Sequence, residues 1–371
     1  MRIYFAATMY PKDASDFRGV FIRHMVYSLA RLPFVELIAW MPPGALPDNV
    51  AAATTPAESE WLRRLLQKGG VSHLIRSGGV RALLAPFNLL WMLAAGYRRH
   101  PEIDIYHINW LQTALPLPSN GKPALITVLG NDLKLLRLPL MRSMMRRMMH
   151  KRKVAICPNA EWMETPLEKA FGDVAEIVPV SFGIDPVWYS IERNPASDRR
   201  IWLVVARLTA DKLGPLFEWS KPLFEGSNRE LHLFGPMEQD IEVPSWVHYH
   251  GPASPQSLAA EWFPVAQGLI TLSRHAEGRP QVMLEAMAAG LPIIASRMPA
   301  HGTIVVDGET GLLCDSQETY AQALDNLEDN DANSSMGAAA RRKAQQDMGT
   351  WDDCAHRYHR IYSKLLAGQV R

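Results

Sequence analysis

The segment Ser273–Gly290, SRHAEGRPQVMLEAMAAG, constrains the fold of this chain more than any other segment. It follows a short apolar run, GLITL, and precedes another, LPIIAS, and both runs are typical of buried strands. Its apolar second half predicts a helix that ends at Gly290, because glycine is the commonest residue after a helix C-terminus. The order strand, loop, helix, strand predicts a βαβ unit. In open parallel sheets, ligands bind at the carboxyl ends of the strands, where this loop lies.

Two carboxylates in this segment are eight positions apart. Glu277 is in the loop, and Glu285 is about two turns into the predicted helix. The backbone amides of residues 278–282 lie where loop becomes helix, so several lack intrahelical partners and are able to bind oxygen atoms. Two carboxylates on one side of a crevice suit hydroxyl groups, such as those of a sugar and a ribose. The spacing alone is equally compatible with a loop residue and a solvated helix glutamate.

The sequence EGRPQVMLEAMAAGLPIIAS resembles the signature of the GT4 family of retaining glycosyltransferases. In that family, the first glutamate contacts the donor sugar and the second contacts the ribose of the nucleotide. The resemblance therefore implies that Glu277 is a catalytic residue that orients the sugar. The donor-binding residues that we predict in this segment are Gly278, Arg279, Pro280, Gln281, Val282 and Glu285.

The resemblance covers nearly the whole chain and is strongest from 201 to 315. It implies an α/β protein of the GT-B fold, with two Rossmann-like domains facing each other across a cleft. The first domain, residues 1–185, would bind the acceptor, and a C-terminal helix within 350–371 would pack back onto it. The second domain, residues 195–349, would bind the nucleotide-sugar donor.

A pair of cations follows the strand predicted at 201–206. Arg207 and Lys212 lie at the carboxyl end of this strand, where both are able to bind a diphosphate. Each charge-assisted hydrogen bond would contribute roughly 1.5–3 kcal/mol. An isolated pair of this kind is also typical of solvated loop cations, but the family motif has Arg and Lys at this spacing. The glycine that usually follows the lysine is displaced by Leu213, with Gly214 next.

Two further glycines are candidate donor-site residues. Gly19 precedes the first predicted helix, where a residue without a side chain lets backbone approach a phosphate. A simple turn glycine is the alternative. Gly235 follows a predicted strand at 231–234, and it resembles the family's glycine loop near the nucleotide.

Polar residues follow two predicted strands of the first half and indicate an acceptor side. Asn109 ends one strand, and Asn131 and Asp132 follow the other. The resemblance implies that Asp132 is catalytic and that the two asparagines lie on the acceptor side. The sequence departs from the family here, since many members have histidines where this chain has Leu129 and Asn109. No imidazole is therefore expected at the reacting centre.

The charge is distributed unevenly along the 371 residues. Residues 1–190 contain 22 Lys+Arg and 15 Asp+Glu, a net charge of +7, whereas the rest contains 17 and 23, a net of −6. This asymmetry predicts that the first half faces something anionic. The predicted helix at 139–153 has methionines on one face and Arg142, Arg146 and Arg147 on the other.

Two interpretations of this basic helix remain open. It is either a solvated basic face over a methionine-rich core, or a membrane-facing patch that binds an anionic bilayer or a lipid-linked acceptor. At ~1 kcal/mol per basic residue near an anionic surface, four charges would supply ~4 kcal/mol, enough for reversible association. Nucleic acid is not expected as a partner, because no recognition motif accompanies the run.

Three scattered cysteines indicate a reducing compartment, and no run of eighteen apolar residues or signal peptide is apparent, so we expect a cytoplasmic protein. Peripheral binding to the inner face of the cell membrane is compatible with this location. No cluster of metal ligands is apparent in the predicted sheets, so we expect neither a metal nor a cofactor.

The resemblance implies a retaining hexosyltransferase. It would move a sugar from a UDP- or GDP-sugar to a saccharide or lipid-linked acceptor, in bacterial polysaccharide or lipopolysaccharide assembly. Two alternatives remain open at this point. One is a non-catalytic sugar-nucleotide-binding partner of a glycosyltransferase, which the missing histidine would permit, and the other is a GT-B epimerase.

Overall fold

The computed structural model describes residues 1–13, 16, 18–69, 80–130, 132–196, 198–275 and 279–367. The chain divides into two units. Met1–Phe182 and Trp351–Arg371 form the first unit, and Gly183–Thr350 form the second. Each unit contains one sheet of parallel strands with helices on both faces. The predicted α/β class is confirmed.

The sheet of the first unit has seven described strands in the order β3-β2-β1-β4-β5-β6-β7. They are β1 (Arg2–Ala6), β2 (Glu36–Trp40), β3 (Val50–Ala52), β4 (Ile105–Asn109), β5 (Ala124–Val128), β6 (Val154–Pro158) and β7 (Glu176–Ile177). Every residue of β4, β5 and β6 is buried. Strands covered on both faces are mainly apolar, which explains why these segments lack a regular alternation of polar and apolar residues.

Seven helices of the described residues cover this sheet. They are α1 (Val20–Ala30), α2 (Pro56–Gln67), α3 (Val80–Arg99), α4 (Asp132–Leu135), α5 (Met141–Met149), α6 (Glu164–Phe171) and, from the C-terminus, α15 (Trp351–Ala367). Helix α15 packs against α1 and buries Trp351, Tyr358 and Tyr362 on the same face of the sheet. The C-terminal helix therefore belongs to the core of the first unit.

The sheet of the second unit has six described strands in the order β10-β9-β8-β11-β12-β13. They are β8 (Arg200–Val205), β9 (Arg229–Phe234), β10 (Val247–Gly251), β11 (Gly268–Thr271), β12 (Ile293–Ser296) and β13 (Leu312–Cys314). The helices are α7 (Pro186–Tyr189), α8 (Ala210–Leu213), α9 (Leu216–Phe224), α10 (Pro255–Ser257), α11 (Gln281–Ala289), α12 (Pro299–Gly302), α13 (Gln317–Glu328) and α14 (Asn330–Asp347). A π-helical turn, Leu258–Trp262, follows α10.

Three sequence expectations about these elements are wrong. The polar segment 44–60, with Pro47 and Pro56, is typical of a loop in sequence, but it contains β3 and the start of α2. Thr55 caps α2 by accepting a hydrogen bond from the Glu58 amide, and the Glu58 carboxylate accepts one from the Thr55 amide. The basic helix α5 is shorter than 139–153. Glu285 lies one turn, not two, into α11, which begins at Gln281.

None of the described helices combines the length and the apolar character that crossing a membrane requires. The longest of them, α3, has 20 residues and contains Pro86.

Candidate functional site

The predicted donor-site residues of the second unit converge at the carboxyl ends of neighbouring strands. Arg207 follows β8, Gly235 follows β9, and Glu285 lies in α11, which follows β11. Because β9, β8 and β11 are adjacent in the sheet, these ends lie side by side. Glu277 and Gly278, which belong to the same predicted site, lie outside the described residues.

The short helix α8 holds Lys212 at this edge. Its N-cap is Thr209, whose hydroxyl accepts a hydrogen bond from the Lys212 amide at 3.2 Å. The side chain of Gln239, from the loop after β9, accepts a bond from the Ala210 amide at 2.7 Å. The backbone that carries Lys212 is therefore fixed from both sides.

Two cations and one carboxylate determine the electrostatics of this edge. The Arg207 guanidinium is exposed, and its Nη1 lies 3.1 Å from Oε2 of Glu238. Burial and the positive charge of Arg207 lower the pKa of Lys212 to about 8, although Glu238 acts in the opposite direction. A bound anion between the two cations would remove this repulsion, since opposite charges favour the charged form of an amine.

Glycines permit two close backbone approaches here. At Gly214, with φ 54°, an added Cβ would lie 2.1 Å from the carbonyl oxygen of Leu272. At Gly235, with φ 135°, it would lie 1.7 Å from the carbonyl oxygen of Ala206. No side chain fits at either position. The contact of Gly214 with the residue after β11 explains why a glycine is needed two positions after Lys212.

Glu285 is a half-buried carboxyl group on α11. Burial, with a smaller effect of the nearby Asp185 carboxylate, raises its pKa to about 8. Asp185 caps α7 by accepting a hydrogen bond from the Val187 amide at 3.0 Å. The raised pKa favours the protonated carboxyl group, which is able both to donate hydrogen bonds to hydroxyl groups and to accept them.

The start of α11 has the geometry of an oxygen-binding helix end. Pro280 is the N-cap, and no side chain of the described residues caps this helix, so the amides of Gln281 and Val282 are not occupied by a side-chain cap. The side chain of Gln281 donates to the carbonyl of Gly183 at 3.1 Å and is therefore engaged within its own unit. Arg279 is half-buried and precedes this N-cap.

A buried hydrogen-bonded chain, which sequence reasoning missed, supports the same edge. Nδ1 of His301, in α12, donates to the carbonyl of Ser296 at 2.8 Å. The Ser296 hydroxyl donates to the carbonyl of Ser273 at 2.6 Å and so ties β12 to the segment after β11. Burial, and more weakly Lys212, lower the pKa of His301, so this imidazole is neutral. The spacing of Ser296 and His301 does not predict these hydrogen bonds, because both side chains bond to backbone carbonyls.

In the first unit, the predicted acceptor-side residues are buried. Nδ2 of Asn109 donates to the carbonyl of Ala6 at 3.0 Å. Oδ2 of Asp132 accepts from the Leu129 amide at 2.8 Å, and burial raises the pKa of Asp132 to about 7. Asn131 lies outside the described residues. Both described side chains thus hold the ends of β1, β4 and β5 together.

Two other first-unit residues clarify this region. His107 is a core residue, since its Nε2 lies 2.9 Å from Oγ1 of Thr127 and burial lowers its pKa to about 3. It cannot replace the missing family histidine. Trp110, directly after Asn109, has φ 71° and ψ 133°, a backbone conformation that residues with a side chain rarely adopt. Strain of this kind concentrates at functional sites.

Gly19 occupies the N-cap of α1 with φ 73°. An added Cβ would lie 2.9 Å from Cγ of Met9 and 3.1 Å from the Tyr10 amide nitrogen. The position therefore requires glycine for its conformation, whichever ligand approaches it.

The basic helix α5 is partly engaged with its own unit. Arg142 donates to the carbonyl of Lys169 at 2.9 Å, and Arg146 donates to the carbonyl of Ala170 at 3.0 Å and pairs with Asp173. Both arginines thus bind the C-terminal end of α6, whereas Arg147 is exposed. Of the predicted methionine face, Met145, Met148 and Met149 are buried, and Met144 is exposed.

The expectation that neither sheet holds a cluster of metal ligands is wrong. Glu230 and His232 on β9 and His248 on β10 bring their ligand atoms within 4.8 Å of one another. The signal was present as Glu-x-His and His-x-His on two consecutive strands, because alternate residues share one face.

Comparisons with known proteins agree with this geometry. Residues 200–330 match the family model described as Glycosyl transferases group 1. A D-inositol 3-phosphate glycosyltransferase from Corynebacterium aurimucosum is 30% identical over 148 residues, which cover 39% of this chain and 34% of that protein. The chain therefore spans about a third of the length of this curated relative.

Solved structures resemble the whole chain. Sucrose-phosphate synthase from Thermosynechococcus elongatus has a TM-score of 0.71 at 16% identity, covering 99% of this chain and 100% of that one. HepE from Anabaena, in complex with UDP and glucose, has a TM-score of 0.68 at 14% identity, covering 98% and 100%. With the two parallel sheets, these likenesses confirm the predicted GT-B fold of two Rossmann-like domains.

Proposed function

We propose that this protein is a retaining glycosyltransferase that transfers a sugar from a nucleotide-diphosphate sugar to an acceptor hydroxyl. The observation that carries the proposal is the cation pair at the end of β8. Burial and the positive charge of Arg207 lower the Lys212 pKa to about 8, and an anion bound between the two cations would relieve this electrostatic cost.

The residues of the second unit have distinct roles in this proposal. Arg207 and Lys212 stabilise the charge that develops on the leaving diphosphate, an interaction that is stronger in the transition state than in the ground state. The uncapped amides at the start of α11 bind phosphate or sugar oxygens. Glu285 binds the ribose hydroxyls, and Glu277 orients the sugar.

The donor is a UDP- or GDP-sugar in this account. The match of residues 200–330 to Glycosyl transferases group 1 supports a sugar-nucleotide substrate for the second unit. The HepE structure that resembles this chain contains UDP and glucose, which favours a UDP-sugar as the first donor to test. The acceptor is a saccharide or lipid-linked saccharide of bacterial polysaccharide or lipopolysaccharide assembly.

The first unit binds the acceptor. The strained Trp110 and the ends of β4 and β5 are the candidate region, with Asn109 and Asp132 holding the backbone in place. Asn131, the third acceptor-side residue of this proposal, lies outside the described residues. We infer that Asp132 acts by positioning this loop, because its buried carboxylate accepts from the Leu129 amide.

Peripheral binding to the inner face of the cell membrane also belongs to this proposal. Arg147, Lys134 and Arg137 are exposed near α5, and the exposed apolar side chains Leu138, Leu140 and Met144 lie in the same segment. Cations beside apolar side chains are typical of surfaces that bind anionic bilayers. Arg142 and Arg146 would contribute less than the sequence suggests, because α6 already occupies them.

Product analysis tests the proposal directly. The purified protein is incubated with each of a panel of UDP- and GDP-sugars and a bacterial lipid extract, and nucleotide release and new glycosides are measured. We expect release of nucleoside diphosphate together with a glycoside of the same anomeric configuration as the donor. Lys212→Ala should lose this activity, and Lys221→Ala, an exposed lysine of the same unit, should retain it. Nucleotide-sugar binding without any turnover would contradict the proposal and indicate a non-catalytic partner.

A further inference from the structure

A cluster of ligand-bearing side chains lies on the edge of the second sheet, apart from the residues assigned to the donor. Glu230 and His232 are alternate residues of β9 and so share one face of the sheet. The parallel register pairs His248 of the edge strand β10 with His232. We propose that Glu230, His232 and His248 bind a divalent transition metal ion of the Zn²⁺ class.

The positions of the ligand atoms support this site. Nε2 of His232 lies 3.0 Å from Oε2 of Glu230, and the ligand atoms of all three residues lie within 4.8 Å of one another. In a tetrahedral zinc site, with bonds of 2.0–2.2 Å, donor atoms are about 3.3 Å apart. The pair on β9 is already at this separation. His248, which stacks on His232 with ring centroids 4.8 Å apart, is exposed and has room to tilt.

A second imidazole orients the central ligand. Nδ1 of His232 lies 3.0 Å from Nε2 of His250, two residues after His248. Metal-bound histidines usually donate their other ring N–H to an acceptor, which fixes the tautomer. With the metal on Nε2, His232 carries its proton on Nδ1 and donates it to His250. His250 then accepts this hydrogen bond at Nε2 and carries its own proton on Nδ1. Both imidazole rings therefore remain neutral when the metal binds.

The surroundings limit movement of this cluster. Trp262 packs against His232 and His250 with centroid distances of 4.8 and 4.7 Å. This aromatic cover leaves Glu230 and His248 to face solvent, so water is able to fill the remaining coordination position. Two imidazoles and one carboxylate select Zn²⁺, Ni²⁺ or Cu²⁺, whereas Mg²⁺ and Ca²⁺ require mostly oxygen ligands.

One neighbour opposes metal binding and so provides a sharp test. Nη1 of Arg199 lies 3.4 Å from Oε2 of Glu230, the oxygen that contacts His232. Its positive charge competes with the metal for this carboxylate. Removal of the charge should therefore tighten metal binding, which is the opposite of what a non-specific loss of structure would produce.

Calorimetric titration of Zn²⁺ into the tag-free, full-length protein at pH 7.5 tests the site. We expect one ion per chain, no competition from Mg²⁺, and affinity at least about tenfold lower in Glu230→Gln and in His248→Ala. His250→Ala should weaken binding less than either of these, and Arg199→Gln should strengthen it. His150→Ala, at an exposed histidine of the first unit, is the matched control and should bind as wild type does.

Thermal unfolding without metal checks that the variants remain folded, since Glu230 and His248 both reach the surface. Absence of stoichiometric binding in the wild type would overturn the proposal. So would unchanged affinity in the double variant Glu230→Gln/His248→Ala, because the ion would then bind elsewhere. Unchanged affinity in Arg199→Gln would contradict Glu230 as a ligand.

Discussion

The polar residues that follow the central strands have different electrostatic surroundings in the two units. At the end of β8, burial and the like charge of Arg207 lower the pKa of Lys212 to about 8. At the end of β5, Asp132 is protected from solvent and accepts a hydrogen bond from the Leu129 amide. A bound anion would lower the electrostatic cost of the first arrangement, whereas the buried Asp132 side chain has a backbone partner within its own unit.

The difference indicates which polar residues serve chemistry and which serve structure. Buried polar groups that find partners within the protein stabilise their own backbone. A perturbed pKa to which burial and a like charge both contribute, at a strand end, is typical of a ligand site. We therefore expect substitutions in the second unit to affect donor turnover and binding, and substitutions at the first-unit strand ends to affect mainly stability.

The largest effect is expected at the cation pair. Arg207→Ala and Lys212→Ala should each lower turnover by at least about tenfold, since each removes a charge-assisted hydrogen bond to the leaving diphosphate. Steady-state kinetics with the active donor are the measurement, with Lys221→Ala as the matched control. Wild-type kinetics in both variants would remove these residues from the mechanism.

A second prediction separates the two glutamates of the Glu277–Glu285 motif. Glu285→Ala should raise the donor KM about tenfold with little change in kcat, because ribose hydroxyls bind similarly in the ground and transition states. Glu277→Ala should lower mainly kcat. Glu218→Ala, at an exposed helix position, controls for loss of a surface carboxylate. If Glu285→Ala left the donor KM unchanged, the ribose assignment would be wrong.

Asp132 should behave differently from both glutamates. Its pKa is raised from 3.8 to about 7, so the folded state holds its proton more tightly than the unfolded state. The stability from this group is present at low pH and is lost as the pH rises through about 7. Asp132→Asn should therefore flatten the pH dependence of the unfolding temperature between about pH 4 and 7.

Asp132→Asn should lower turnover by less than about tenfold. Lys212→Ala, by contrast, should lower it by at least about tenfold. Thermal unfolding at several pH values and kinetics at one pH distinguish the two roles. A pH profile identical to wild type, combined with a large loss of kcat, would show that Asp132 acts in catalysis and not in positioning.

The last prediction concerns the membrane and not the donor reaction. Replacing Lys134, Arg137 and Arg147 with Gln should weaken binding to anionic liposomes, with ~1 kcal/mol lost per charge. Arg146→Gln should weaken it less, because Arg146 already pairs with Asp173. Sedimentation at low and high salt is the measurement. Equal binding of the triple variant and the wild type at low salt would contradict a docking role for this surface.

Sequence patterns predicted the α/β class and the position of the cation pair, because apolar strands and strand-end motifs are local signals. The GT-B fold was predicted from the resemblance to the GT4 family. These local signals do not predict which residues, far apart in the sequence, a side chain contacts. The carbonyls of Lys169 and Ala170 that occupy Arg142 and Arg146 belong to another helix. The candidate metal-binding cluster on β9 and β10 depends on the register of these strands, which alternation alone does not determine.

Some element boundaries were missed for a different reason. The capping box at Thr55 and Glu58 was readable in the sequence, but two prolines and small residues nearby favoured a loop. In α5, the N-cap Leu140 has φ 66°, so the helix starts after Pro139 and not at it. The start of α5 shows that a cap is defined by backbone conformation as much as by residue type.

The central claim is that Arg207 and Lys212 bind a nucleotide diphosphate in the second unit. Calorimetric titration of UDP and GDP into wild type, Lys212→Ala and Lys221→Ala tests it most directly, at pH 8 in buffers of different ionisation enthalpy. Wild type should bind one diphosphate and take up protons, because the anion raises the Lys212 pKa from about 8. Lys212→Ala should bind at least about tenfold more weakly and lose that uptake. Equal affinity and equal proton uptake in wild type and Lys212→Ala would contradict the account.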